Sequence, residues 1–173
     1  MAKIEQPREL LLEQLKSLLY VEEQLSEKVI PELVEQSESS DLKQGLNLHS
    51  TQTHDHVVNI RKAFEVLGEE PEAQDDPVLD GLRKQHKKVV KQLESPKLKD
   101  LANVDAVVKT EQLEIGAYTT LLELVRAMKL DGDLEELLQS NLDDEKQALE
   151  LAEQALSQLS ERAAAISATP GGS

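Results

Sequence analysis

The chain has no cysteine and no tryptophan, and its aromatic residues number three: Tyr20, Phe64 and Tyr118. The first absence excludes disulfides, thiolate metal sites and thiol chemistry, so any metal would be held by oxygen and imidazole nitrogen. The second removes most of the bulky side chains on which sheets draw, and leaves a hydrophobic complement of Leu, Val and Ala that favours helices. No run approaches the ~18 apolar residues of a membrane span, and the opening Met1-Ala2-Lys3-Ile4-Glu5-Gln6-Pro7 has no apolar signal core, so a cytoplasmic protein is expected. Basic residues are scarce as well: 19 Lys and Arg against 34 Asp and Glu give a net charge of -15. Dense negative charge opposes nonspecific binding to nucleic acid or to an anionic membrane, and makes cations the natural partners.

What is present is helical patterning. The 173 residues suit one domain, read as a bundle over 1–166 with a disordered tail at 167–173. Pro7 opens a first helix whose apolar residues recur at Leu11, Leu15, Leu18, Leu25, Val29 and Leu33, with Pro31 expected to kink it without ending it. Ser37 to Ser40 form a turn, with Ser40 as the expected cap of a second helix that Gly68 stops. Residues 68–76 read as an exposed loop, and Asp76-Pro77 starts a crossover helix reaching about Glu94. Ser95-Pro96 repeats the start signal, a looser stretch passes Asn103, and a third long helix reaches Lys129. Asp131-Gly132 turns into a fourth, where Asp133 and Glu136 have capping-box spacing and which should fade after Leu159. Short connections make each outer pair antiparallel, whereas the about 35 residues from Gly68 to Ala102 can span a bundle's length. The fold class expected is all-α: a ferritin-like four-helix bundle with an additional crossover helix between the second and third core helices.

Polar residues interrupt every apolar stripe near its middle. On the third core helix the line from Val104 to Val125 passes through Glu111, Glu114 and Tyr118. On the fourth the line Leu134, Leu138, Ala148, Ala152 passes through Asn141 and Glu145. Glu22 and Glu23 interrupt the first stripe. The second passes through His49, Thr53 and His56, with Gln52 at its shoulder. One histidine of His49, His54 and His56 is expected to face inward, and His56 is the one taken as a ligand. An unpaired buried charge costs several kcal/mol, so either a shared metal or acid–imidazole hydrogen bonds must compensate. Surface acids at a wet stripe edge are the plainer alternative. Tyr20 and Tyr118 read as core residues whose hydroxyls bond to acids. The basic run Arg83, Lys84, Lys87, Lys88 and Lys91 reads as a solvated face, since no aromatic platform accompanies it for nucleic acid.

Between about Glu9 and Leu159 the chain resembles the YciE/YciF-type bacterial stress proteins of the ferritin-like superfamily. The resemblance lies in LLEQLKSLLYVEEQL, the proline of VIPEL, the histidine and threonine of LHSTQTH, VLGEEPEA, EQLEIGAYTTL and LLQSNLDDEKQ. It implies a crossover helical bundle, often dimeric, with a di-iron carboxylate site. Carried over residue by residue, the ligands implied are Glu23, Glu111, Glu114 and Glu145, with the second-helix glutamate falling on Gln52 and His56 able to complete the set. The sequence departs from the family pattern at Gln52, Gln112, Leu113 and Leu149, and contains no Glu-x-x-His motif. Two readings follow. In the first, the chain is a homodimeric protein that binds iron, with manganese or zinc as substitutes, and acts in iron handling or oxidative stress. In the second, it is a structural or partner-binding bundle that has lost the metal. Whether it is an enzyme is left open.

Overall fold

Each helix begins and ends where local chemistry allows it. We describe residues 3–167 of a computed structural model of the chain. Pro7, which has no N–H to leave unsatisfied, opens α1 (Pro7–Gln24), and the Glu9 carboxylate accepts from the Gln6 backbone N–H at 3.0 Å. The expected kink at Pro31 is a π-helical turn, Leu25–Val29, followed by α2 (Ile30–Gln36). In that turn the Ile30 N–H reaches back five residues to the Leu25 carbonyl. The widened turn lies just ahead of the proline, which cannot donate a ladder hydrogen bond.

α3 (Ser40–Val66) is capped by Ser39, whose Oγ accepts from the Leu42 N–H, and not by Ser40. Asp100 explains the shift: its carboxylate takes the N–H groups of Glu38 and Ser39 at 2.8 and 3.0 Å and fixes the turn one residue earlier. Gly68 stops α3 with φ of 71°, and the Glu69 N–H closes on the Phe64 carbonyl at 2.9 Å, the Schellman pattern. The Asp76 carboxylate caps α4 (Pro77–Val90) through the Val78 and Leu79 N–H groups and accepts from the Ser17 hydroxyl, so the incoming loop is fastened to α1. α4 ends at Val90, short of Glu94.

α5 (Pro96–Met128) runs without a break past Asn103, where a looser stretch was expected. Asn103 is fully buried, takes the His86 ring at 2.9 Å on its Oδ1 and donates to Ser37 Oγ at 3.0 Å, so a residue that weakens an isolated helix is held by its neighbours. α6 (Gly132–Ser167) starts behind Asp131, whose carboxylate accepts the Asp133 N–H, and does not fade after Leu159. The remainder of the expected tail, residues 168–173, lies outside the described residues.

Among the described residues there is no strand, and no helix is long and apolar enough to cross a membrane. The helices form a bundle in which α1 and α6 each pack against α3 and α5, while α4 lies along α5. The core is aliphatic, with Leu11, Leu15, Leu134 and Leu138 among its members and Phe64 and Tyr118 as its large rings. Burial of these side chains drives association of the helices, since each fully buried Leu contributes roughly 1.5–3 kcal/mol. The polar middles of the stripes are carried inside with them.

Candidate metal centre

Spacing on each helix selects the side chains that meet at the centre. On α1 the steps from Leu11 through Leu15, Leu18 and Leu25 alternate four and three, and the position left on that line is Glu22. Glu22 is fully buried. Glu23, the acid expected as ligand, sits one residue further round; it is partly exposed and forms an ion pair with Arg61 of α3. On α3 the line Leu46, His49, Thr53, His56, Ile60 is buried throughout, so two histidines face inward and only His54 is exposed. Gln52 lies off that line, half-buried, facing a groove lined by Leu46, Ala148 and Ala152, and is in neither ligand group described below. α5 contributes Glu111, Glu114 and Tyr118, and α6 contributes Asn141 and Glu145, all buried to 0% exposure.

These groups form two adjoining trios. Glu22, His56 and Glu145 present ligand atoms within 4.8 Å of one another, and so do His49, Glu111 and Glu145. Glu145 belongs to both. Nδ1 of His56 is 2.7 Å from Oε1 of Glu145 and 3.5 Å from Oε2 of Glu22, while Nε2 of His49 is 3.0 Å from Oε1 of Glu111. These are close approaches whose directions do not make hydrogen bonds. Among the described residues nine buried side-chain atoms lack a hydrogen-bond partner: one oxygen of Glu22, both oxygens of Glu111, Glu114 and Glu145, and Nδ1 of His49 and His56. Buried polar atoms are ordinarily satisfied, so nine at one place form a donor set that fits a cation.

Neighbouring residues hold the ligand candidates in place. Tyr118 donates its hydroxyl to Oε1 of Glu22 in a short hydrogen bond and accepts from Asn141 Nδ2 at 2.9 Å. Asn141 accepts from Asn59 at 2.8 Å and also reaches the His56 carbonyl. Asp144, whose side chain is 40% exposed, lies 3.3 Å from Nε2 of His56. With that ring nitrogen turned to a carboxylate, Nδ1 is the one aimed at the centre.

The electrostatics show the strain of this arrangement without added positive charge. Burial pushes Glu111 and Glu145 up to about 7 and Glu22 above its ordinary range. Glu114 is raised well above it, by burial first and then by the charges of Glu145, Glu22 and Glu111. Burial alone would lower His56, but Glu145 and Glu22 outweigh it and hold the imidazole at about 11. Burial lowers His49, which keeps that ring neutral and able to coordinate.

An all-helical bundle with a buried carboxylate–imidazole cluster is the class that fold and site define. The model of the family described as "Domain of unknown function (DUF892)" matches residues 6–165. The chain belongs to that family, the YciF type. No curated protein matches it. Among solved structures it is similar to YcfI of Rhodopseudomonas palustris, at 30% identity over 87% of this chain and 95% of that one, with a TM-score of 0.84. The E. coli stress protein YciF superposes with a TM-score of 0.83 at 20% identity, over 91% and 99% of the two chains. Protein XCC3681 of Xanthomonas campestris pv. campestris gives 0.63 at 18%, over 91% and 98%. The last two likenesses concern the fold.

Proposed function

We propose that the cluster is a dinuclear iron centre in a ferritin-like four-helix bundle, α4 being the crossover helix, and that the protein handles iron or its oxidants under stress. The observation that carries this reading is the place of Glu145, whose carboxylate belongs to both ligand trios. Glu22 and His56 would hold one ion, His49 and Glu111 the other, and Glu145 would bridge them, with Glu114 as a further carboxylate. The donor set is hard oxygen and imidazole nitrogen, suited to Fe(II) and to Mn(II) or Zn(II) in its place. Charge supports the same count, since four buried carboxylates would be neutralised by two divalent ions. The chemistry such ions supply when bound is reduction of a small oxidant at the expense of Fe(II). The chain's own residues orient the ligands through Tyr118 and Asp144 and exclude bulk water.

One observation favours the metal-free alternative: acids raised to about 7 can stay protonated, and a bundle that keeps Glu111 and Glu145 neutral needs no ion to fold. Thermal melting with and without excess Fe(II) under anaerobic conditions separates the two. A site that binds only the folded state stabilises it by about 2.7 kcal/mol at a hundredfold excess over Kd, which raises the midpoint by several degrees. A melt indifferent to Fe(II), Mn(II) and Zn(II) alike would leave the metal-free bundle.

A homodimer is part of the proposal. Leu48 and Leu151, 59% and 54% exposed, flank the apolar groove between α3 and α6. Light scattering should give twice the 19.2 kDa chain mass, and a monomer at tens of micromolar would refute this part alone.

A further inference from the structure

On the side of the cluster facing α4, the bundle is not tightly closed. Where the π turn interrupts the first helix, a cavity of about 60 Å³ lies between that turn, α2, α4 and α5. A single water needs roughly 10–15 Å³, so the space takes a molecule of a few heavy atoms and little more. Most of its wall area is apolar, with Leu33 from α2, Leu82 from α4 and Ala106 from α5. Its lining also includes His49 and Glu111, and both carboxylate oxygens of Glu111 are buried without a hydrogen-bond partner.

Two features set what can occupy this space. A charged species crossing apolar walls loses its hydration and costs several kcal/mol, so the cavity discriminates against metal ions and other ions alike. At its rim Lys87 pairs with Glu32 at 3.1 Å and Lys109 with Asp105 at 2.6 Å, while Arg83, bonded to the neutral Gln24 at 3.2 Å, adds a positive charge that further disfavours a metal cation. A cation meets a more suitable group elsewhere: the part-exposed carboxylate of Asp144, which lies against His56 in the other trio.

We propose that this cavity is the access and binding site for a small uncharged oxidant, of the size of dioxygen or hydrogen peroxide, at the His49–Glu111 end of the cluster. The inference deepens the metal-centre reading and rests on it for its purpose, while the cavity can be tested with no metal present.

The test uses the full-length, metal-free protein and dissolved dioxygen as the probe, read by paramagnetic relaxation of methyl protons in NMR. The methyls of Leu25 and Leu33 line the cavity although they are only 2% and 3% exposed. They should relax severalfold more strongly with dioxygen than the equally buried Leu11 and Leu122. Ala106→Leu, which fills the space, should bring them down to the Leu11 level, and Leu82→Ala, which enlarges it, should raise them further. Equal enhancement at Leu25, Leu33, Leu11 and Leu122 would overturn the proposal, as would enhancement unchanged in both variants. Enhancement in a protein that binds no metal in a separate titration would overturn the oxidant role together with the centre, whereas metal binding without enhancement would overturn the access site alone.

Discussion

The hydroxyl of Tyr118 donates to Oε1 of Glu22 across the packed face between α1 and α5, and neither residue is exposed to solvent. The bond joins α1 to α5 and fixes one oxygen of the acid while leaving the other toward His56. Tyr118→Phe removes the donor and leaves Oε1 of Glu22 without a partner. Loss of a buried partner costs about 1–3 kcal/mol, so the variant should melt several degrees lower. A Tyr118→Phe midpoint equal to wild type would mean that the phenol does not support the acid.

Glu22 and Glu23 are adjacent in sequence but differ in environment. Glu22→Gln should weaken Mn(II) or Fe(II) binding by on the order of tenfold or more, as loss of a group at a metal does. Glu23→Gln should leave affinity unchanged and remove only a surface pair with Arg61, which contributes at most about 1 kcal/mol. Isothermal titration of both variants decides the matter, and an equal loss in the two would contradict the assignment of Glu22.

Asp144 lies against Nε2 of His56 and outside both trios. Asp144→Ala should therefore lower metal affinity by about 10–100-fold while leaving the fold intact, the usual result of removing a carboxylate behind a ligating imidazole. Nitrogen-15 spectra of the histidine ring should show the Nε2-protonated form in the metal-loaded wild type and a mixture in the variant. Unchanged affinity and an unchanged ring spectrum would remove Asp144 from the account.

The metal-free protein should lose stability as pH rises. Burial holds Glu111 and Glu145 at about 7 against an ordinary 4.5, so between those values the folded chain keeps protons that the unfolded chain has released. Stability then falls with rising pH across that window. His56, raised from 6.5 to about 11, has the same sign: its contribution is complete below 6.5 and is lost as pH climbs toward 11. Chelator-treated protein should melt higher at about pH 5.5 than at about pH 8, and Glu111→Gln/Glu145→Gln should flatten that slope. Because metal displaces protons from its ligands, the midpoint shift caused by metal should grow over the same interval. A metal-free melt that rises from pH 5.5 to 8 would contradict the burial of ionisable acids.

The sequence made the inward positions legible wherever one helical period ran without interruption. Glu111, Glu114 and Tyr118 on α5, and Asn141 and Glu145 on α6, lie on apolar lines that the structure buries. Glu22 was readable in the same way, because the alternating steps of four and three on α1 reach it and pass over Glu23; motif resemblance pointed to the neighbour instead. His49 stands seven residues before His56, two turns along the same face, so the spacing that marks one marks the other. What could not be read locally depends on partners distant in the chain. Asp100 moves the α3 cap from Ser40 to Ser39, and His86 and Ser37 hold Asn103 inside a continuous α5. Pro31 announced a distortion, but the helix could take it up as a bend or a widened turn, and the cavity beside the π turn follows from the second.

The most direct test of the account is the number of metal ions that Glu145 controls. Anaerobic titration of untagged, chelator-treated protein with Fe(II), followed by elemental analysis after desalting, should approach two ions per chain. Glu145→Ala should abolish binding of both, because its carboxylate is common to the two trios. Retention of about two ions by Glu145→Ala, or no binding by wild type, would contradict a shared metal centre at this cluster.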